Sequence, residues 1–263
     1  MLAFEFMQKA FLAGFLISLL CPVVGLFIVL RRYSMIGDTL SHSSFAGVAM
    51  GLVSNINPLF TSFIFTTLCA VVIEFLRDYF RKYAELVMSI VLTLSLGIAI
   101  VLVSSGKTTA KVSSYLFGSI LTVSSDELLM ILIVSVICLG VLYLLYNQLV
   151  YISFDEEGSK VSGIKVKAIN YIFTLLVGAT ISVSIRVMGI LVISSIMVVP
   201  VATALLFKKG FRFTLFLSVA IGMTDVIGGL ILSYYINSAP GGTIALASVF
   251  TLLTAVVINR KRL

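Results

Sequence analysis

The sequence predicts an all-α, polytopic membrane protein of about nine transmembrane helices, on three observations. Of 263 residues, 60% are hydrophobic and 11% charged, against roughly 45–50% and 25% in a soluble domain. Mean hydropathy is +1.19. Apolar runs of about 20 residues, the length that crosses a bilayer as a helix, recur along the chain. A transmembrane β-barrel would instead alternate over about ten residues.

The runs place spans at about 10–30, 35–53, 58–78, 84–104, 128–149, 168–185, 188–207, 213–235 and 242–259. Lysines and arginines orient them. Arg31 and Arg32 follow the first span, Arg77, Arg81 and Lys82 the third, and Lys160, Lys165 and Lys167 the fifth. Lys208, Lys209 and Arg212 follow the seventh, and Arg260, Lys261 and Arg262 the ninth. With nine spans, all of these fall on one side, which the positive-inside rule makes the cytoplasm. The N-terminus is then outside and the C-terminus cytoplasmic. Lys9, Lys107, Lys111 and Arg186 are the exceptions. Eight spans would put both termini on one side and split the basic clusters.

The net charge of +7 follows from these clusters, so it is no nucleic-acid signal. Cys21, Cys69 and Cys138 lie far apart in apolar runs and read as small buried residues. No signal-peptide pattern precedes the first span. No connection exceeds about 25 residues, so residues 1–263 read as a single transmembrane domain. There is no GxxxxGK[ST] phosphate loop, which would leave any nucleotide hydrolysis to another chain.

The connections carry turn chemistry. Asn57-Pro58 and Ser238-Ala239-Pro240-Gly241-Gly242 read as outer turns. In the outer connection 105–127, Tyr115 to Val123 is too apolar for a solvated loop and reads as a short helix folded back on the outer face. Ser124 and Ser125 before Asp126-Glu127 read as a helix cap. The cytoplasmic loop at about 153–165 is the most charged stretch. Phe154-Asp155-Glu156-Glu157 opens a short amphipathic helix in the order that the helix dipole prefers, and the helix stops near Gly163. It is either a plain solvated connector or a docking helix, with Val161 and Ile164 as its apolar face.

Candidate site residues centre on Gly37-Asp38-Thr39-Leu40-Ser41-His42, which contains the only histidine. Asp38 and His42 are spaced i, i+4, so on a helix they share one face. A carboxylate and an imidazole are ligands for a divalent transition metal, and ionisable groups at membrane depth are costly. The plainer reading has Asp38 capping a helix and His42 hydrogen-bonding within the bundle. Zinc takes four ligands. Two copies meeting on a two-fold axis would supply Asp38 and His42 twice. Gly47 and Gly51, spaced GxxxG, would allow close helix approach near that axis.

Asp225 sits mid-span, where a carboxylate costs roughly 2.5–3.5 kcal/mol. It reads either as an accessory cation site or as a protonated group bonded to a neighbouring helix. Pro200 is expected to break or kink the seventh span, with Ser194 and Ser195 satisfying freed backbone groups. That span reads as a pore-lining or hinge element, or else as a kinked packing helix.

The run Arg31 to Ala49, with Tyr115-Leu116-Phe117-Gly118-Ser119-Ile120, Phe154 to Gly163, Gly189 to Ala204 and Ser233-Tyr234-Tyr235, resembles the membrane permeases of bacterial zinc/manganese ATP-binding-cassette importers, the ZnuB/AdcB type. The resemblance runs through the whole chain in order. It implies the importer permease fold and a homodimer with two ATPase subunits and an extracytoplasmic metal-binding protein. Asp38 and His42 match the family's metal path. The loop with Phe154, Asp155, Glu156, Glu157, Val161 and Gly163 matches its coupling helix. No cofactor is expected to be permanently bound. Zinc is the expected cargo, with manganese or iron as alternatives, and ATP is used by the partner. Asp225 departs from the family pattern. A gradient-driven secondary transporter would need coupling carboxylates and tends to show inverted repeats, and none is visible. A non-transporting scaffold would need neither Asp38 nor His42. No nucleophile–base pair suggests an enzyme.

Overall fold

The computed structural model describes residues 5–80, 83–104, 109–119 and 123–260. Among them are twelve α-helices and no strand: α1 (Glu5–Leu30), α2 (Met35–Ser54), α3 (Pro58–Tyr79), α4 (Ala84–Ser104), α5 (Thr109–Phe117), α6 (Ser125–Leu144), α7 (Tyr146–Phe154), α8 (Glu156–Val161), α9 (Val166–Met188), α10 (Ile190–Leu205), α11 (Phe211–Ile236) and α12 (Pro240–Arg260). Arg81, Lys82, Lys107, Lys261, Arg262 and residues 120–122 of the fold-back segment lie outside the described residues.

Seven helices are long and apolar enough to cross a membrane: α1, α3, α4, α6, α9, α11 and α12. The two other expected spans differ for separate reasons. α2 has 20 residues, but Asp38, Thr39, Ser41, His42, Ser43 and Ser44 lower its apolarity. α10 has 16 residues, about 24 Å, short of the ~30 Å hydrocarbon thickness. It is short because Gly189 alone separates it from α9.

That one-residue reversal depends on glycine. Gly189 has φ +77°, and a Cβ there would lie 2.5 Å from the Leu116 carbonyl oxygen. Gly118, at φ +75°, faces the same turn, and a Cβ on Gly241 would lie 2.8 Å from the Phe117 carbonyl oxygen. The end of α5, the α9–α10 turn and the start of α12 therefore meet backbone to backbone. Val187, Met188 and Ile190 are buried there.

The fifth expected span, 128–149, is two helices. α6 ends at Leu144 and α7 begins at Tyr146. At the start of α6, Ser124 and Glu127 form a reciprocal capping box. Asn57 caps α3, with Pro58 in its first turn.

α2 packs on α3, α4, α9 and α10. Its hydroxyls face inward. Ser44 bonds Ser62 at 2.6 Å and Ser43 bonds Ser95 at 2.8 Å. Thr39 donates to the Met88 carbonyl at 3.4 Å. Gly47 and Gly51 face α3 as well: added Cβ atoms would lie 2.6 Å from Ser62 Cα and 2.8 Å from Pro58 Cα. The GxxxG face thus closes α2 onto α3 within one chain, whereas the sequence suggested an approach near a two-fold axis.

Polar side chains lock the basic end of the bundle. Arg31 donates to Asn170 Oδ1 at 2.9 Å and covers the Phe173 ring. Arg77 pairs with Glu74 at 2.6 Å, Thr174 donates to the same carboxylate at 2.5 Å, and Arg77 also bonds the Tyr33 hydroxyl. Glu74 is 4% exposed. Removing one member of a buried pair typically costs about 3–5 kcal/mol. Glu74→Ala is expected to lower the Tm of the purified protein strongly, and Glu74→Gln, which keeps an acceptor for Thr174, less so. Equal Tm for Glu74→Ala and wild type would refute this. Arg186, at the other end of α9, pairs with Glu127 at 3.3 Å and lies over Tyr115, so this off-side arginine is neutralised where it sits.

Candidate functional site

The packing of α2 leaves one stripe uncovered. Met35 and Asp38 are exposed and His42 is half-buried, at positions that share a helical face. His42 Nδ1 is buried and has no hydrogen-bond partner among the described residues. An imidazole nitrogen shielded from solvent and left unbonded costs free energy, so a missing partner is expected there. No cluster of three or more His, Cys, Asp or Glu side chains occurs among the described residues. One chain therefore presents two potential ligands on one stripe.

α10 lies beside that stripe. A Cβ on Gly37 would sit 3.5 Å from Ser194 Cβ, in ordinary contact. Leu191 is exposed, and Ser194, Ser195, Val198 and Ala202 are half-buried, forming a strip uncovered like that of α2. Pro200 is buried inside α10, and the helix continues past it to Leu205. Of the expected break or kink, the break does not occur: the chain turns at Gly189, and α10 runs through its proline. The structure brings Ser194 to the start of α2. The sequence signal for that approach was Gly37 itself, a residue without a side chain just before Asp38.

Asp225 is placed elsewhere. It is 2% exposed on α11, which packs on α1, α10 and α12. Thr251 of α12 donates to its Oδ2 at 3.3 Å, and Oδ1 has no partner among the described residues. This geometry is that of a carboxyl group bonded to a neighbouring helix.

The charged loop folds as expected. Asp155 caps α8 by accepting from the Gly158 N–H at 2.9 Å, and Gly163 ends the turn at φ +81°. Lys160 pairs with Glu157 at 2.7 Å and Glu156 at 3.3 Å. The hydrogen bond to Glu157 holds its ammonium pKa above the usual value. Phe154, at the end of α7, is 69% exposed, and Val161 is 90% exposed. Two bare apolar side chains thus flank a short, internally paired helix.

Apolar helices of crossing length packed with a polar, partly uncovered helix define a multi-pass membrane protein. The comparisons make that class specific. The ABC 3 transport family matches residues 3–259, and the chain belongs to it. A probable metal transport system membrane protein of Treponema pallidum (strain Nichols) is 49% identical, covering 99% of this chain and 98% of that protein. The high-affinity zinc uptake system membrane protein ZnuB of Buchnera aphidicola (subsp. Acyrthosiphon pisum) is 32% identical over 95% and 96%. The manganese import system permease protein ScaB of Streptococcus gordonii is 28% identical over 98% and 93%. PsaBC from Streptococcus pneumoniae, solved in complex with Fab, superposes with a TM-score of 0.85 at 26% identity over 96% of this chain and 91% of that one. The protein is a membrane permease of the metal ABC importers, a multi-pass protein of the cell membrane.

Proposed function

We propose that this permease carries zinc through a homodimeric pore, with Asp38 and His42 of both copies forming the transport site. The observation that carries the reading is the uncovered α2 stripe, where the exposed Asp38 carboxylate lies one turn from the unbonded His42 nitrogen. An isologous interface built on α2 and α10 would double the ligand set to His2Asp2. Ser194 and Ser195 would line the same passage, with α10 hinged at Gly189. Asp225 stands apart as an interhelical bond. Counting α2 and α10 with the seven apolar helices gives nine spans in one permease domain. An odd count puts the N-terminus outside and the C-terminus in the cytoplasm, where the basic end then faces.

Energy comes from a separate ATP-binding subunit docked on residues 154–163, and an extracytoplasmic binding protein delivers the ion. Val161→Asp places a charge where an apolar contact is expected, and interface anchors typically cost 2 kcal/mol or more when lost. It is expected to weaken capture of the ATP-binding subunit by about 30-fold without changing permease levels. Undiminished capture would remove α8 from the interface.

Zinc is favoured by the Gly37-Asp38-Thr39-Leu40-Ser41-His42 wording and by the likeness to zinc-uptake permeases. The test is the metal content of cells with and without this chain in zinc-poor and manganese-poor media. A selective zinc deficit on deletion supports the reading. A manganese deficit keeps the site and changes the cargo, and no deficit in either overturns both.

A further inference from the structure

Two surface grooves meet at Ile172. One, of about 760 Å³, is lined by Lys160, Lys165, Lys167, Tyr171 and Ile172 among others. The other, of about 370 Å³, lies between α3, α6 and α9, with walls that include Phe63, Ile137, Val141, Ile172 and Leu175. Together they form a cleft lined by lysine side chains at one end and by hydrocarbon side chains at the other.

The dimensions fit a lipid. From Lys167 to Ala179, the last α9 residue lining the cleft, twelve residues of helix rise about 18 Å. That is close to one leaflet of a ~30 Å hydrocarbon core. The three helices are all of crossing length, so the apolar part faces acyl chains. Tyr171 lies at the boundary, where aromatic side chains anchor to headgroups. Among the described residues no carboxylate lines the lysine end. Glu156 and Glu157 hold Lys160, and Asp78 holds Lys167 at 2.5 Å, while Lys165 has no ion pair among the described residues.

We propose that this cleft binds one anionic phospholipid, with the phosphate at Lys165 between Lys160 and Lys167 and one acyl chain running past Ile172 towards Ala179. A docked protein would have use for the lysines but none for a groove continuing down membrane-crossing helices. A zwitterionic headgroup would bring its own cation to three ammonium groups. The site is distinct from the α2–α10 stripe and does not depend on the transported ion.

The test is native mass spectrometry of the delipidated, detergent-purified protein after re-addition of dioleoylphosphatidylglycerol or dioleoylphosphatidylcholine. The phosphatidylglycerol is expected to be retained at least fivefold better. Each lysine near a charged headgroup is worth about fivefold, so Lys165→Gln should remove most of that preference. Ile172→Trp should block the junction and lower retention of both lipids, while Leu132→Trp on the exposed side of α6 should leave it unchanged. Equal retention of the two lipids overturns the proposal. So does retention unaffected by Ile172→Trp, or displacement of the lipid by millimolar glycerol 3-phosphate, which would mark a bare anion site. Lys165→Gln weakening only capture of an ATP-binding subunit would instead assign the lysines to a protein interface and likewise overturn it.

Discussion

Asp38→Ala and His42→Ala are each expected to abolish metal import while leaving the protein in the membrane at wild-type levels. Asp38 is exposed and His42 Nδ1 is unbonded among the described residues, so truncation breaks no hydrogen bond seen among them. The fold has no stake in these side chains that the structure shows, and the proposed site depends on both. In a two-fold assembly each substitution deletes two of four ligands at once. Outer-shell partners of a metal are already worth 10–100-fold in affinity or activity, so losing direct ligands should reduce uptake by more than about 100-fold. Ser41→Ala is the control, because among the described residues Ser41 donates only to the Gly37 carbonyl of its own helix at 2.7 Å. The sign of the pH dependence follows from the ligand. Imidazole binds metal in its neutral form, so protons compete with metal. Uptake should fall as the pH drops far enough to protonate the imidazole. Wild-type uptake of zinc and manganese by either alanine variant would sink the site assignment.

The helices, caps and candidate ligands were legible because each rests on local chemistry. The Ser124–Glu127 capping box, the Asp155-capped α8 and the Asn57-Pro58 turn are spelled by residue type at fixed offsets. The Asp38–His42 pair is spelled by the helical period. What was illegible depends on which surfaces meet. Hydropathy reports that Met188 to Phe207 is apolar, but says nothing of how deep the chain turns. Three glycines distant in sequence, Gly118, Gly189 and Gly241, decide that the turn is buried and α10 short. GxxxG reports that some backbone comes close, and here it is α3 of the same chain. Glu74 is buried because Arg77 and Thr174 satisfy it, and those partners are one turn and a hundred residues away. The α6–α7 break at Leu145 has no glycine or proline to announce it.

Gly25→Ala should have the largest effect on folding of any glycine substitution within a helix. A Cβ at Gly25 of α1 would overlap the Met197 carbonyl oxygen of α10 and lie 2.7 Å from the carbonyl carbon. The obstruction is backbone, so no rotamer change relieves it, and the two helices must separate. An alanine in a helix interior gains about 1 kcal/mol over glycine. Overpacking ordinarily costs 1–3 kcal/mol, and a backbone overlap of this depth should exceed that range. The net sign is destabilising by several kcal/mol. Gly97→Ala in α4 isolates the other term, because nothing lies within 4 Å of its added Cβ. Its Tm should equal or slightly exceed wild type. Since α10 carries Ser194 against Gly37, any Gly25→Ala protein that survives should also be displaced at the α2 stripe and import poorly. Fluorescence-detected size-exclusion and thermal melts of the two variants read the difference directly. If Gly25→Ala melts with Gly97→Ala, α1 and α10 do not approach as closely as their backbones indicate, and the placement of α10 beside Asp38 falls with it.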